Sequence, residues 1–292
     1  MKNYEKTGYL QEPFRLFHLK DNVRQEISLH YHDFYKIIVF YTGTVTYMVE
    51  GKSYLLKPGD IVLVNRNHIH KPTIDDSVPY ERTIFYISGE CLESCRSEGY
   101  DPFFCFTQAA EKKDYVLRVE DFLKTEAGGI LAAMESGGER YGWQAERLLL
   151  FQLFLLAVNR ICQGGEQEAK ICPPAVYHQK IIDAMTYLSE HIFEEISVDD
   201  LADAVYMSKY HLMRQFKKET GYTIHKYLTE KRIMAAKEML LAGQPATSVS
   251  EVCGFLDYST FLRAFRGSVG MTPTDFAASR KGRNSGGGQN LR

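Results

Sequence analysis

Residues 14–87 alternate apolar and polar positions in short runs, as in Tyr35-Lys36-Ile37-Ile38-Val39-Phe40, Thr44-Val45-Thr46-Tyr47-Met48-Val49 and Ser53-Tyr54-Leu55-Leu56. A period of two puts successive side chains on opposite faces, so these runs are predicted strands. Glu50-Gly51-Lys52 makes a tight hairpin turn. Lys57-Pro58-Gly59-Asp60 turns the chain again before Ile61-Val62-Leu63-Val64, with proline fixing one dihedral and glycine freeing the next. Short antiparallel strands sharing an apolar face must close or sandwich to bury it, which predicts a small barrel. From Asp114 the period becomes helical. One helix is predicted over Tyr115 to Glu126 and a longer one over Trp143 to Cys162, with Gly137-Gly138 interrupting the run between them. In the longer helix Leu149, Leu153, Leu156 and Ile161 share a stripe, which Leu148, Phe151, Phe154, Leu155 and Val158 widen. So broad a stripe predicts two partners, the barrel of its own chain and a second copy in a homodimer.

The segment Gln163 to Lys170 is polar and Gly-rich, and Cys172-Pro173-Pro174 stiffens the chain after it, which predicts a domain boundary. Beyond it the predicted helices are short and dense. Tyr177 to His191 carries Ile181, Ile182, Met185 and Leu188 on one stripe, and Ser197 with Asp200 reads as a capping box ahead of a helix over Val198 to Val205. Ser208 is the predicted cap of Lys209 to Glu219, whose buried side is Leu212 and Phe216. Two short helices joined in this way form a helix-turn-helix. The unit then recurs: Leu212, Arg214, Phe216, Gly221 and Thr223 are matched at a constant offset by Phe261, Arg263, Phe265, Gly270 and Thr272, the mark of an internal duplication. The second copy runs from Thr247 through Cys253, turns at Gly254-Phe255 and resumes at Asp257 or Tyr258 to Ser268, with a turn one residue longer. Between the copies Lys226 to Leu241 is a predicted helix with Tyr227, Ile233, Ala236 and Leu240 inward. It would span about 24 Å at roughly 1.5 Å per residue. That length holds two helices far enough apart to enter successive major-groove faces about 34 Å apart.

Composition agrees with two folded domains: 292 residues, 45% hydrophobic and 25% charged, exclude collagen-like, low-complexity and largely disordered chains. The net charge of -2 conceals an asymmetry, because acids outnumber bases over residues 1–170 and the reverse holds over 171–292. Lys209 to Lys218 contains Lys209, Arg214, Lys217 and Lys218 without an acid, and Tyr258 to Ser268 contains Arg263 and Arg266 without one. Basic faces opposite Leu212/Phe216 and Phe261/Phe265 suit phosphate binding and base reading, so double-stranded DNA is the predicted partner. No apolar run that would serve as a secretory signal follows Met1-Lys2-Asn3-Tyr4-Glu5, which predicts a cytoplasmic protein. Leu148 to Val158, the greasiest segment, is too short to span a membrane and contains Gln152. The six cysteines make no CxxC pair and read as reduced thiols, with Cys91 and Cys95 on one helical face.

The run Ser208 to Gly221, together with Val252-Cys253-Gly254-Phe255, Phe261, Arg263, Phe265 and Gly270-Met271-Thr272-Pro273, resembles the AraC-type family of bacterial transcription regulators over about residues 178–280. The resemblance implies two helix-turn-helix subdomains on one promoter face, often in dimers. It implies that Tyr210, Met213 and Arg214 face bases from the first recognition helix and Ser259, Thr260, Leu262 and Arg263 from the second, while Lys209, Lys217 and Arg266 hold phosphates. Arg214 and Arg263 are the candidates for guanine edges, because a guanidinium donates twice to O6 and N7. Three departures are visible. Tyr206 stands at a turn position that is often Gly, predicting a turn without positive φ; Ile224 stands where Pro is common; and Phe276-Ala277 replaces an aromatic-Arg ending, at the expense of a phosphate contact.

The N-terminal half resembles the cupin-like sensor barrel of such regulators. His30, His32, Lys36 and Gly43 follow the spacing of the first cupin motif, and Gly51, Pro58, Gly59 and His70 approximate the second. Lys36 stands where metal-binding cupins carry Glu. An ammonium in place of a carboxylate ligand weakens a divalent ion, so no metal, no cofactor and no catalytic residue is expected. The expected role of His30, His32, Lys36 and His70 is instead to donate hydrogen bonds to an uncharged or anionic small-molecule effector, with a carbohydrate as the class common among similar proteins. Tyr47 would stack on it, and His68 is a spare candidate. The predicted protein is therefore a two-domain α+β, ligand-responsive, sequence-specific DNA-binding transcription regulator and not an enzyme. Its parts are a cupin-like β-barrel with packed helices for effector binding and dimerisation (1–165), a linker (166–177), an all-α domain with two helix-turn-helix subdomains (178–280) and a flexible tail (281–292). Two alternatives stay open: a metal-dependent cupin enzyme using His30, His32 and His70, fused to a helical domain, and a protein-interaction module.

Overall fold

A computed structural model describes residues 12–22, 30–75, 77–138, 140–164, 170–171 and 179–284, together with Leu10 and Ile27. The chain divides into two compact units, residues 1–177 and 178–292. Among the described residues no helix is long and apolar enough to cross a membrane, and Cys91, Cys95, Cys105, Cys162 and Cys253 are free thiols. Cys172 and most of the segment expected as a linker lie outside the described residues.

The first unit opens with seven strands: β1 (Phe14–Asp21), β2 (Tyr35–Thr42), β3 (Thr44–Val49), β4 (Lys52–Leu55), β5 (Ile61–Val64), β6 (His70–Asp75) and β7 (Tyr80–Ile87). There follow α1 (Gly89–Ser94), α2 (Phe104–Glu111), β8 (Val116–Arg118), α3 (Glu126–Glu135), α4 (Trp143–Cys162) and β9 (Lys170–Ile171). The strands form a six-stranded sheet in the order β1-β7-β2-β5-β8-β9 and a three-stranded sheet in the order β4-β3-β6. One core joins them: Ile37, Val39, Leu63 and Phe85 from the larger sheet are buried with Val45, Tyr47, Val49 and Tyr54 from the smaller. The β3–β4 hairpin turns through Glu50 at φ 48 and Gly51 at φ 83, the pair of left-handed conformations that matches strand twist. The alternation read along the chain thus becomes two packed sheets because each has one apolar face to cover.

The helix expected over Tyr115 to Glu126 does not form. Val116 and Leu117 instead pair with Val62 and Ile61 of β5, and Arg118 forks onto the buried Asp60 with both hydrogen bonds at 3.0 Å. Asp60 also accepts from the Lys57 amide at 2.8 Å, so the turn before β5 and the strand beside it are fixed by one carboxylate. Burying that carboxylate without Arg118 would be costly, which outweighs the helical spacing of Tyr115, Val119 and Phe122. A short 3-10 turn, Phe122–Lys124, follows, and Thr125 then caps α3. Helices α1 and α2 were not visible in the apolar pattern; α1 does place Cys91 and Cys95 one turn apart, with the Cys95 thiol donating to the Cys91 carbonyl at 3.2 Å.

Helix α4 has the predicted bounds. Phe151, Phe154, Leu155 and Val158 are buried in the barrel core, while Leu149 is 61% and Leu153 is 48% exposed. One half of the wide stripe is therefore covered by the helix's own unit.

The second unit is helical: α5 (Gln179–Glu190), α6 (Val198–Ala204), α7 (Lys209–Thr220), α8 (Ile224–Leu241), α9 (Ala246–Val252), α10 (Tyr258–Val269) and α11 (Pro273–Asn284). The first part of α5 as expected, residues 177–178, lies outside the described residues, and α11 takes in residues 281–284 of the segment expected as a tail. Helix α8 lies between two bundles, packing on α5 and α7 on one side and on α9, α10 and α11 on the other. Its predicted inner face is buried, with Tyr227 against Phe216 (ring centres 5.5 Å apart) and Ile233, Ala236 and Leu240 in a core with Phe261, Phe265 and Phe276.

Candidate nucleic-acid interface and effector site

The duplication persists down to backbone conformation. Ser197 Oγ accepts from the Asp200 amide at 3.0 Å, and the Asp200 carboxylate accepts from the Ser197 amide at 3.3 Å, completing the capping box of α6. Helix α7 ends at Gly221 with φ 76 and α10 at Gly270 with φ 80, the left-handed ending that glycine adopts without strain. Thr223 and Thr272 then cap the next helices, accepting from the Lys226 and Asp275 amides. The inter-helix turn is four residues (205–208) in the first copy and five (253–257) in the second.

Two expectations about the first turn are corrected. Tyr206 does adopt positive φ, at 53, despite its side chain. The turn is closed by hydrogen bonds from the Tyr206 amide to Asp203 (3.1 Å) and from the Met207 amide to Ala202 (2.9 Å), while the Tyr206 carbonyl accepts from Lys180 Nζ at 2.6 Å. Together these offset the left-handed cost of about 1–2 kcal/mol for a residue with a Cβ. Ser208 occupies the cap position of α7 but its side chain makes no capping hydrogen bond; in the second copy Asp257 does, accepting from the Thr260 amide at 2.7 Å.

With Leu212 and Phe216 buried, Tyr210, Met213, Arg214 and Lys217 are exposed on α7, and Tyr210 is 85% exposed. With Phe261 and Phe265 buried, Ser259, Thr260, Arg263 and Arg266 are exposed on α10 and Leu262 is half-buried. The Thr260 hydroxyl donates to Asp257 at 3.0 Å. Lys209 is paired with Asp199 at 2.6 Å, which raises the ammonium's pKa.

A residue that periodicity did not single out ties the two subdomains. Arg232, on α8, donates to the carbonyls of Ile192 (2.8 Å), Glu194 (2.5 Å) and Gly254 (2.6 Å). The first two belong to the segment after α5 and the third to the turn of the second helix-turn-helix. Gly254, at φ 71, lies so close to that segment that an added Cβ would meet the Phe193 carbonyl at 2.8 Å. That glycine, read as a turn signal, was the only local hint of the approach.

In the first unit the structure brings His30, His32, Lys36, Tyr47 and His70 together. His30 and His70 exchange backbone hydrogen bonds at 3.2 and 2.9 Å, an antiparallel bridge outside the sheets proper. Ring centres lie 4.5 Å apart for His30 and His70, 4.7 Å for His32 and His70, and 5.0 Å for His30 and His32. His32 stacks on Phe34 at 4.4 Å, and Lys36 Nζ donates to the Tyr47 hydroxyl at 3.3 Å. His30 is the half-buried member; the other four are buried. His68 is not in this group: its ring packs edge-on against Tyr115.

Burial dominates the electrostatics. It pushes the His32 pKa down to about 2 and that of His70 well below the usual histidine range, with the nearby Lys36 charge adding to both. Burial also lowers the Lys36 ammonium to about 7, reinforced by Arg82. The two buried imidazoles are therefore neutral at physiological pH. His70 Nδ1 lies 2.9 Å from the His68 carbonyl oxygen, which can only accept, so Nδ1 carries the proton and Nε2 a lone pair. His70 thus offers the site an acceptor where a donor was expected. The Tyr47 ring already lies parallel to His70 at 6.1 Å, and its hydroxyl is engaged by Lys36.

These features define a transcription regulator that pairs a β-rich ligand-binding domain with a double helix-turn-helix DNA-binding domain, the fold expected from sequence. Residues 17–150 match the family described as AraC-like ligand binding domain, and residues 201–279 match that described as Helix-turn-helix domain. The chain belongs to the AraC-type family of transcription regulators. It is similar to the HTH-type transcriptional activator RhaS of Citrobacter koseri (24% identity over 256 residues, 86% of this chain and 87% of the relative) and of Shigella dysenteriae (26% over 266 residues, 87% and 88%). Among solved structures it is similar to the DNA-binding domain of AdpA in complex with a target DNA (26% identity, 37% of this chain and 98% of that one, TM-score 0.35). It is also similar to ToxT from Vibrio cholerae (14%, 91% and 96%, TM-score 0.37).

Proposed function

We propose that α7 and α10 read promoter DNA, and that a small polar effector bound by His30, His32, Lys36, Tyr47 and His70 changes the affinity of that reading. Residues 1–165 serve effector binding and dimerisation, 166–177 link, and 178–280 bind DNA. The observation that carries the reading is the duplicated helix-turn-helix, with both cationic helices exposed over matching buried cores. Tyr210, Met213 and Arg214 face bases from α7, as do Ser259, Thr260, Leu262 and Arg263 from α10; Lys209, Lys217 and Arg266 hold phosphates. Lys209 exchanges its Asp199 partner for a phosphate on binding. Neutral imidazoles, an amine and a phenol beside aromatic rings supply mixed donors and acceptors, which suits a carbohydrate. An effector that binds one state better shifts the population toward that state.

Arg214→Ala and Arg263→Ala are each expected to cost about 1–3 kcal/mol at the cognate site and to relax base preference there. Binding to fragments selected from DNA upstream of the protein's own gene, measured over a salt series, checks this. An equal loss on every sequence, with a shallower salt slope, would reassign either arginine to phosphate.

The exposed half of α4 supports a homodimer through Leu149 and Leu153, which lie one turn apart. Replacing both by Glu is expected to give a monomer in sedimentation analysis, with the barrel still folded because neither side chain is in its core. A dimer that survives the double substitution places the interface elsewhere.

A further inference from the structure

Folding of the first unit buries more positive than negative charge. Among its described residues the buried Lys, Arg, Asp and Glu side chains are Lys36, Asp60 and Arg82. Asp60 is matched by Arg118. Lys36 and Arg82 share one carboxylate, Asp21, which accepts from Arg82 Nη1 at 2.6 Å and whose own side chain is 46% exposed. Strand register puts both cations on one face. Lys36, Ile38 and Phe40 of β2 stand opposite Tyr86, Ile84 and Arg82 of β7, and alternate residues share a face. That face meets Tyr47 of the smaller sheet, to which Lys36 donates at 3.3 Å. The two charges are close enough to disfavour each other. Neither group is saturated. Lys36 uses one of the three donors of its ammonium. Arg82 donates from Nη1, to Asp21 and to the Tyr80 carbonyl at 2.8 Å, with Cζ 4.2 Å from the Tyr80 ring centre, while its Nε is buried without a partner. Buried guanidinium donors are seldom left so, and a desolvated cation without an equal counter-charge is costly.

We propose that Lys36 and Arg82 bind the carboxylate of a sugar acid, so that the effector is an anion and Arg82 belongs to its site. The inference rests on the effector reading proposed above and names the chemical class. Two cations against one exposed carboxylate leave a single charge to balance, which fits a monovalent group. A phosphate ester, at about −1.5 to −2 near pH 7, would overcompensate. Arginine's planar N–H fork matches a carboxylate in shape, and lysine adds a point charge. Ile38 and Ile84 lie between the two cations in the register and are buried, so the charges act in a low dielectric, where pairing with an anion is strong. The ligand's hydroxyls belong at the other end. The Tyr86 ring centre lies 5.6 Å from Lys36 Nζ and 5.9 Å from the His32 ring centre, which makes the cation pair continuous with the histidine group. A ligand with its charge at Lys36 and Arg82 and its hydroxyls toward His32 and His70 uses both ends. Arg82 lies outside both cupin-like motifs, and only the pairing of β7 with β2 brings it to the side of Lys36.

The test is isothermal titration calorimetry on full-length protein without DNA. The probes are D-glucuronate, D-galacturonate and D-gluconate, set beside D-glucose, D-galactose, glucose 6-phosphate and hexanoate. At least one sugar acid is expected to bind at a single site per chain, with the neutral sugars weaker by roughly tenfold or more. Lys36→Met should lower the affinity by a similar factor. Because it removes a buried charge, it should not lower the urea midpoint of tryptophan emission from the first unit. Arg82→Gln should weaken binding too, and Arg82→Lys should not restore it, since an ammonium lacks the fork. Asp21→Asn separates a ligand-binding arginine from a structural one: freeing Arg82 from its carboxylate should tighten the acid, and no gain there overturns its part in the site. Sugar acids that fail to bind, or that bind no better than neutral sugars, overturn the proposal. So does tighter binding of glucose 6-phosphate or hexanoate, or acid binding unchanged in both Lys36→Met and Arg82→Gln. Mobility shifts on promoter DNA are read separately. An acid that binds yet leaves DNA affinity unchanged sinks the effector reading and spares this site, while a neutral sugar that alters DNA affinity, with no acid bound, does the reverse.

Discussion

Phe216→Ala is expected to destabilise the second unit by about 3–5 kcal/mol, because it removes most of a fully buried ring and the surroundings refill the space only in part. The ring sits edge-to-face with Tyr227 of α8, so the cavity opens between the first recognition helix and the helix shared by both bundles. Phe265→Ala should act likewise in the second copy, where Phe265 packs against Phe261 at 5.6 Å and Phe276 at 5.7 Å. The chain provides its own control. Its single tryptophan, Trp143, begins α4 of the first unit. Urea unfolding followed by far-ultraviolet circular dichroism should therefore show an early helical transition in each variant, while the tryptophan emission midpoint stays put. An unchanged dichroism midpoint for Phe216→Ala would remove Phe216 from the core.

Arg232→Met should lower affinity for a complete two-subsite DNA by about tenfold or more while leaving binding to a single half-site nearly intact. The guanidinium joins three carbonyls from two segments far apart in sequence, and Arg232 is half-buried, so its charge-assisted bonds are partly screened. The loss falls less on the stability of either bundle than on their mutual pose. Two recognition helices joined rigidly present the second to its groove at high effective concentration once the first is bound, and a loosened joint lowers that concentration. Arg232→Lys should not restore it, since one ammonium cannot fork onto three carbonyls. Mobility-shift titrations on full and half sites separate the outcomes; equal losses on both would show that Arg232 supports folding and does not set the pose.

Phe216, Phe265 and the αL glycines Gly221 and Gly270 were readable because a duplicated pattern reports the same local environment twice. The strands were readable for a similar reason: a period of two is a property of neighbours. Residues 115–126 are not a helix: Tyr115, Val119 and Phe122 fit a helical stripe as well as they fit a strand followed by a turn, and the pairing with β5 and the Arg118–Asp60 fork decide between them. Helices α1 and α2, at six and eight residues, are too short to show a stripe.

The order of residues along the chain determined the strand and helix periods, the turn chemistry, the repeated cores and the exposed cationic faces, all of which depend on side chains within a turn or two of each other. The cupin-like motifs already grouped His30, His32 and His70, but tertiary structure alone decided that their ring centres lie 4.5–5.0 Å apart and that Arg232 reaches Ile192, Glu194 and Gly254. Those contacts join residues brought together by sheet pairing and helix packing, and a local pattern carries no record of which distant backbone carbonyl a side chain will find.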